Sequence, residues 1–150
     1  MVKDYVLGKL YPEFELKSGK RIVSAQNLKG KVVFINFWFD SCPPCRAEMR
    51  GLDSLYSILK DSAAFEFISI TFEDNPTIKW VRKKRRVSFP MYSTSTQECQ
   101  RLSFGCGYPT NIILDKRGVI RYINAGGFRD ADKATQYIME VIKPKIVELL

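Results

Sequence analysis

The sequence predicts an α/β domain: a central mixed β-sheet flanked by helices on both faces, preceded by an N-terminal β-hairpin. Three observations carry this. KVVFINFW (31–38) and FEFISITF (65–72) are continuous apolar runs of β-branched and aromatic residues, as strands buried on both faces require. Between them, Cys45, Met49, Leu52, Tyr56 and Leu59 recur at steps of three and four, the period of a helix with one buried face. A pair of shorter strand-like stretches and a closing amphipathic segment complete the chain. At 150 residues the simplest organisation is one domain over 1–150, large enough to bury a core without metals or disulfides.

The elements follow in order. FELKSGKRIVS (14–24) reads as two short strands around a Ser-Gly turn. The first buried strand then runs into the Cys42–Cys45 segment, and the helix after it extends to about Lys60. The second buried strand is followed by a helix through Lys79, Trp80 and Val81 that stops before Pro90. A short helix over 97–102 precedes Tyr108-Pro109-Thr110. Residues 111–114 and 119–124 flank Asp115-Lys116-Arg117-Gly118, whose terminal glycine suits a hairpin with a bulge. From about Asp130 an amphipathic helix uses Tyr137, Ile138, Val141 and Ile142, and Pro144 either ends or kinks it. The strand–helix–strand unit over 31–72 should be parallel and right-handed.

Composition excludes several function classes. Histidine is absent, which removes Ser-His and Cys-His nucleophile pairs and every imidazole metal site. Net charge is +8, part of it in the run Arg82-Lys83-Lys84-Arg85-Arg86. No nucleic-acid motif accompanies that run, so it reads as a solvated helix face and nucleic acid is not an expected partner. No apolar run is long enough to cross a membrane, and the N-terminal stretch lacks the hydrophobic region of a signal peptide. Both a cytoplasmic protein and a mature domain of an exported precursor fit these facts.

The chemistry lies in FWFDSCPPCRAEM (37–49). With Cys42 at a helix N-cap, Pro43 and Pro44 occupy positions where a missing N–H costs nothing. The free N–H groups and positive end of the helix then favour a thiolate on Cys42, and Cys45 lies within one turn, less exposed. Cys42 is the expected nucleophile and Cys45 the resolving thiol of disulfide exchange. A zinc site would need all four cysteines, Cys42, Cys45, Cys99 and Cys106, and the intervening prolines remove N–H donors to metal-bound thiolates. Neither a metal nor another cofactor is expected.

FELKSGKRIVS, LKGKVVFINFW, CPPCRAEM and YPTNIILDKRGVI together resemble the thioredoxin fold, and within it the TlpA/ResA-like extracytoplasmic thiol–disulfide oxidoreductases. The resemblance covers nearly the whole chain. It implies a thioredoxin-like fold with an added N-terminal hairpin and a mid-fold insertion that carries the segment around residues 79–86. It also implies that Pro109 is the family's cis-proline facing the dithiol. Tyr108 would then be free to pair with a substrate chain, and Trp38, Pro43, Pro44, Tyr108 and Pro109 would form the substrate-binding surface. Asn36 stands where cytosolic thioredoxins bury an aspartate, so the proton role must lie elsewhere or with water. By the same resemblance Glu73 is the proton partner, its acidity shifted by desolvation after a buried strand.

Two features depart from the family pattern. Asp40-Ser41 precede Cys42 where many relatives have tryptophan; a carboxylate there disfavours the thiolate, with Arg46 as an expected partial offset. Cys99 and Cys106 are additional, and either a second disulfide or two unpaired thiols fit their spacing. The function implied is exchange of disulfides with protein substrates, with reduction as the expected direction and an upstream thiol–disulfide electron donor. A thiol peroxidase is the alternative, although Ile35 and Phe39 occupy the places where a peroxidatic motif needs other residues. A non-catalytic binding domain is the third reading. The resemblance further implies the periplasm or another extracytoplasmic space, with any signal or anchor upstream of this chain; a monomer is expected.

Overall fold

A computed structural model describes residues 2–150. A short helix α1 (Val2–Val6) leads into the hairpin of β1 (Glu15–Ser18) and β2 (Arg21–Ser24). There follow β3 (Val32–Phe37), α2 (Pro43–Leu59), β4 (Phe65–Thr71), α3 (Asn75–Arg85), β5 (Met91–Ser93) and α4 (Thr96–Leu102). The chain closes with β6 (Thr110–Leu114), β7 (Ile120–Ala125), α5 (Ala131–Tyr137), a π-helical segment (Ile138–Ile142) and α6 (Lys143–Leu149).

The main sheet has the order β5-β4-β3-β6-β7, with β3 at its centre. β3 is parallel to β4 and antiparallel to β6, and every residue of these three strands is buried. That explains their unbroken apolar sequences: the sheet is covered on both faces. Alternate residues divide the core. Val32, Phe34 and Phe67 face α2, α3 and the C-terminal helices, while Val33, Ile35, Ile68 and Ile70 face α4 and the N-terminal segment. This is the thioredoxin-like fold with its N-terminal hairpin. The segment between β4 and α4, where the insertion is expected, folds into α3 and the edge strand β5.

The hairpin is tied to the sheet by polar contacts as well as packing. Arg21 Nε donates to the Tyr92 hydroxyl at 2.9 Å, and the Arg21 guanidinium also binds the buried Glu66 carboxylate. On the other edge, Gly8 N–H and Ile120 N–H bond to Ile120 C=O and Lys9 C=O, laying the N-terminal segment along the start of β7. Pro144 neither ends nor sharply breaks the closing helix. It sits in the first turn of α6, and the preceding segment widens to a π-helical turn, which accommodates a residue with no N–H to donate. Among the described residues no helix is long and apolar enough to cross a membrane.

Candidate active site

β3 ends at Phe37, and the chain leaves the sheet through Trp38, Phe39, Asp40 and Ser41 before turning into α2 at Cys42. Cys42 is the N-cap, with extended backbone (φ −96°, ψ 106°), and Pro43 and Pro44 fill the first helical positions. Its Sγ accepts a hydrogen bond from Cys45 N–H at 3.3 Å. A sulfur that accepts from the first turn is stabilised as a thiolate by the same donor. Here Cys42 and Cys45 are joined as a disulfide, their Cα atoms 5.2 Å apart, and Cys42 is 3% exposed against 1% for Cys45.

The Tyr108–Pro109 bond is cis. A Cβ on Gly127 would lie 3.4 Å from Pro109 Cγ, 3.7 Å from Pro44 Cβ and 3.3 Å from Glu48 Oε1, so these residues converge on one point beside the dithiol helix. Sequence reading did not single out Gly127 or Glu48, and both had a signal. Gly126-Gly127 follows a strand, and position 48 falls on the buried stripe between Cys45 and Leu52, three and four residues away.

Glu48 is 5% exposed, one turn beyond Cys45 on α2. Asn111 Nδ2 donates to its Oε1 at 2.9 Å and Asn36 Nδ2 to its Oε2 at 3.4 Å. Asn36 Nδ2 also donates to Asn111 Oδ1 at 2.8 Å, and Ser69 Oγ donates to Asn36 Oδ1 at 3.0 Å. Burial raises the Glu48 pKa to about 8, more than the two amide donors lower it. Asn36 therefore does not replace a buried acid; it hydrogen-bonds to one carried by the facing helix. A solvent-facing depression of about 240 Å³, lined by Glu48, Asn124, Gly127, Phe128 and Tyr137, gives this carboxyl a side open toward water.

Glu73 follows the end of β4. Its carboxylate accepts the Asp40 N–H at 2.9 Å, and its carbonyl accepts from Ser93 Oγ at 2.6 Å. It clasps the loop that delivers Cys42. The Asp40 carboxylate is met by Arg85, Nη2 to Oδ1 at 2.9 Å, with both side chains about a quarter exposed, while Arg46 is exposed and makes no ion pair among the described residues. The compensating cation thus comes from α3, 45 residues away.

Of the expected substrate-binding residues, Pro43 is exposed and Pro44 half-buried beside Pro109. Trp38 is fully buried under the site, packed in the core with Cys42 and Cys45, so it supports the surface and does not form part of it. Its indole N–H has no hydrogen-bond partner among the described residues. Tyr108 is half-buried; its ring meets Phe39 and Phe72 edge to face, and Phe39 and Phe72 stack on each other with centroids 5.6 Å apart. The Tyr108 hydroxyl is buried beside the Cys99 thiol without a hydrogen bond of normal geometry. Cys99 and Cys106 are unbonded in this structure. Cys99 is sunk in the core face of α4 and Cys106 sits in the turn beyond it, and burial raises the pKa of both thiols.

A dithiol at a helix N-cap, with a cis-proline beside its helix and aromatic rings along its rim, on a thioredoxin-like sheet, defines a thiol–disulfide exchange protein. The comparisons agree. The chain matches the AhpC/TSA family over residues 7–123 and belongs to that family. It is 29% identical over 124 residues to the thiol-disulfide oxidoreductase ResA of Halalkalibacterium halodurans, a match that spans 82% of this chain and 69% of ResA. It is 28% identical over 138 residues to the thiol:disulfide interchange protein DsbE of Yersinia pestis, spanning 87% of this chain and 70% of DsbE. The structure of StoA from Bacillus subtilis superposes with a TM-score of 0.66 at 21% identity, covering 84% of this chain and 96% of StoA, a likeness of fold. The chain is a thiol–disulfide oxidoreductase of the ResA/DsbE type with a Cys42–Cys45 pair.

Proposed function

We propose that the protein reduces disulfides in protein substrates, with Cys42 as nucleophile, Cys45 as resolving thiol and Glu48 as the proton partner of Cys45. In the reduced protein the Cys42 thiolate attacks one sulfur of a substrate disulfide, and the other leaves as a thiolate that takes up a proton. The Glu48 carboxylate then accepts the Cys45 proton, and the Cys45 thiolate attacks Cys42 Sγ. The mixed disulfide breaks, the second substrate thiol departs, and the Cys42–Cys45 disulfide carries the two electrons' worth of oxidation. An upstream dithiol protein reverses that last state. The carrying observation is the N-capping Cys42 Sγ, bonded to Cys45 and hydrogen-bonded by Cys45 N–H, one turn from a buried acid whose pKa of about 8 suits proton transfer near neutral pH.

The reductive direction is supported by electrostatics. The most oxidising dithiols owe their potential to a strongly stabilised thiolate. Around Cys42 the helix terminus is favourable, but the one cation that meets the loop before it, Arg85, is paired with Asp40 and adds little to that stabilisation. Glu73 holds the nucleophile's loop, and Pro43, Pro44, Tyr108 and Pro109 form the surface over which the substrate chain passes. By likeness to the ResA and DsbE relatives, the substrates are extracytoplasmic proteins with cysteine pairs.

Insulin reduction coupled to dithiothreitol tests this. The wild type should accelerate precipitation, Cys42→Ser should abolish the acceleration, and Cys45→Ser should accumulate a mixed disulfide visible by mass. A wild type as slow as Cys42→Ser, or one that consumes hydrogen peroxide without exchanging disulfides, would overturn the reading. A potential toward the reducing end of the range of roughly −270 to −120 mV supports the direction, and one at the oxidising end reverses it.

A further inference from the structure

We propose that the exposed basic face of α3, continuous with the aromatic rim beside Cys42, receives an acidic segment of the substrate polypeptide next to its reactive cysteines. The inference rests on the oxidoreductase reading and adds the charge of the substrate to it. Residues 75–93 contain six of the chain's 24 Lys and Arg and no acid. Arg85 is committed to Asp40, and Arg82 is half-buried. Lys79, Lys83, Lys84 and Arg86 are exposed and have no ion pair among the described residues. One or two cations in a last turn offset the helix dipole, but like charges three and four residues apart repel. No ion pair among the described residues compensates for the excess, so an external anion is the group that would.

Its position makes that anion part of a substrate. The Arg85–Asp40 pair fastens α3 to the loop two residues before the nucleophile. Trp80, half exposed, lies 6.0 Å from the Arg85 guanidinium, and Phe72, 36% exposed, stacks on Phe39, whose carbonyl accepts the Cys42 N–H. A chain that presents a disulfide to Cys42 and continues over Phe72 and Trp80 places its next residues among the lysines. Carboxylates there meet charges at a solvated rim, which speeds encounter and selects partners, and the effect is screened by salt. A nucleic acid or an anionic lipid surface would use the same charges without reference to the dithiol.

Three peptides with one internal disulfide and the same core sequence test it, flanked by four Asp/Glu, four Ser/Gln or four Lys residues. The wild type should reduce all three, with kcat/KM at least about tenfold higher for the acidic than for the basic peptide at low ionic strength. The ratio should fall to about twofold in 0.5 M NaCl. Lys79→Glu/Lys83→Glu/Lys84→Glu should invert the order, with folding checked by thermal melting; should that protein not fold, Lys83→Gln/Lys84→Gln should lower the ratio at least threefold. Equal rates for the three peptides with wild type, or an acidic preference that survives these substitutions, overturns the docking surface. So does a patch-dependent affinity for a mixed-sequence oligonucleotide or phosphatidylglycerol vesicles higher than for the acidic peptide. Failure of the wild type to reduce any of the peptides counts against the oxidoreductase reading itself.

Discussion

At position 48 a carboxyl is held among amide groups inside the protein, and ionising it is costly there. Its pKa rises from an ordinary 4.5 to about 8 on burial. The sign follows directly. The unfolded chain loses this proton near 4.5 and the folded one near 8, so the contribution to stability is full below pH 4.5 and is lost as pH climbs through 8. The whole shift corresponds to about 5 kcal/mol. Urea unfolding of wild type and Glu48→Gln across pH 4.5–9 should therefore show the wild type losing stability relative to the variant as pH rises, and a constant difference would place the proton elsewhere. Arg85 gives a second residue-level prediction. Removing it leaves Asp40 uncompensated close to Cys42, an interaction of order 1 kcal/mol at a partly exposed site. In the reduced protein, Arg85→Gln should slow iodoacetamide alkylation of Cys42 at pH 7 by about fivefold, and adding Asp40→Asn should restore it. The N-cap role of Cys42 is readable from CPPC before a helical period. The Arg85–Asp40 pair is not, because no local rule links residues 45 positions apart.

Among the elements, those marked by an apolar run, a period or a turn were legible, and α1 and β5 were not. β3, α2 and β4 announce themselves through apolar runs and a 3.6-residue period. α1 and β5 span five and three residues, too few for any period, and both form because the sheet offers them an edge or a cover. Helix packing carries its own prediction at Gly51. A Cβ there would sit 3.0 Å from Thr135 Cα and 2.9 Å from Ile138 Cδ1, where α2 crosses α5 and the π-helical segment. Alanine normally favours a helix by about 1 kcal/mol over glycine. Here the overpacking against backbone outweighs that, so Gly51→Ala should destabilise the protein by about 1–2 kcal/mol net. A lowered denaturant midpoint with unchanged m-value is the expected result, and a raised one would show that α5 yields.

At the scale of the whole molecule, both outer strands are partly shielded. The hairpin leans on β5 through Arg21 and Tyr92, and the N-terminal segment bonds to the start of β7, so part of each sheet edge is covered against another chain. The sheet's centre poses a different problem. VVFINF, FEFISIT and TNIIL are buried on both faces, so a shift of one strand by a residue would exchange one apolar face for another at little hydrophobic cost. Ser69, Asn36, Asn111 and Asn124 are direct partners across four strands, on the face that meets α2 and Glu48. Any slip would strand these amides without partners in an apolar interior. The row that cradles the proton-carrying acid is therefore also an alignment key, through which the strands find their native frame and the chemistry inherits its geometry.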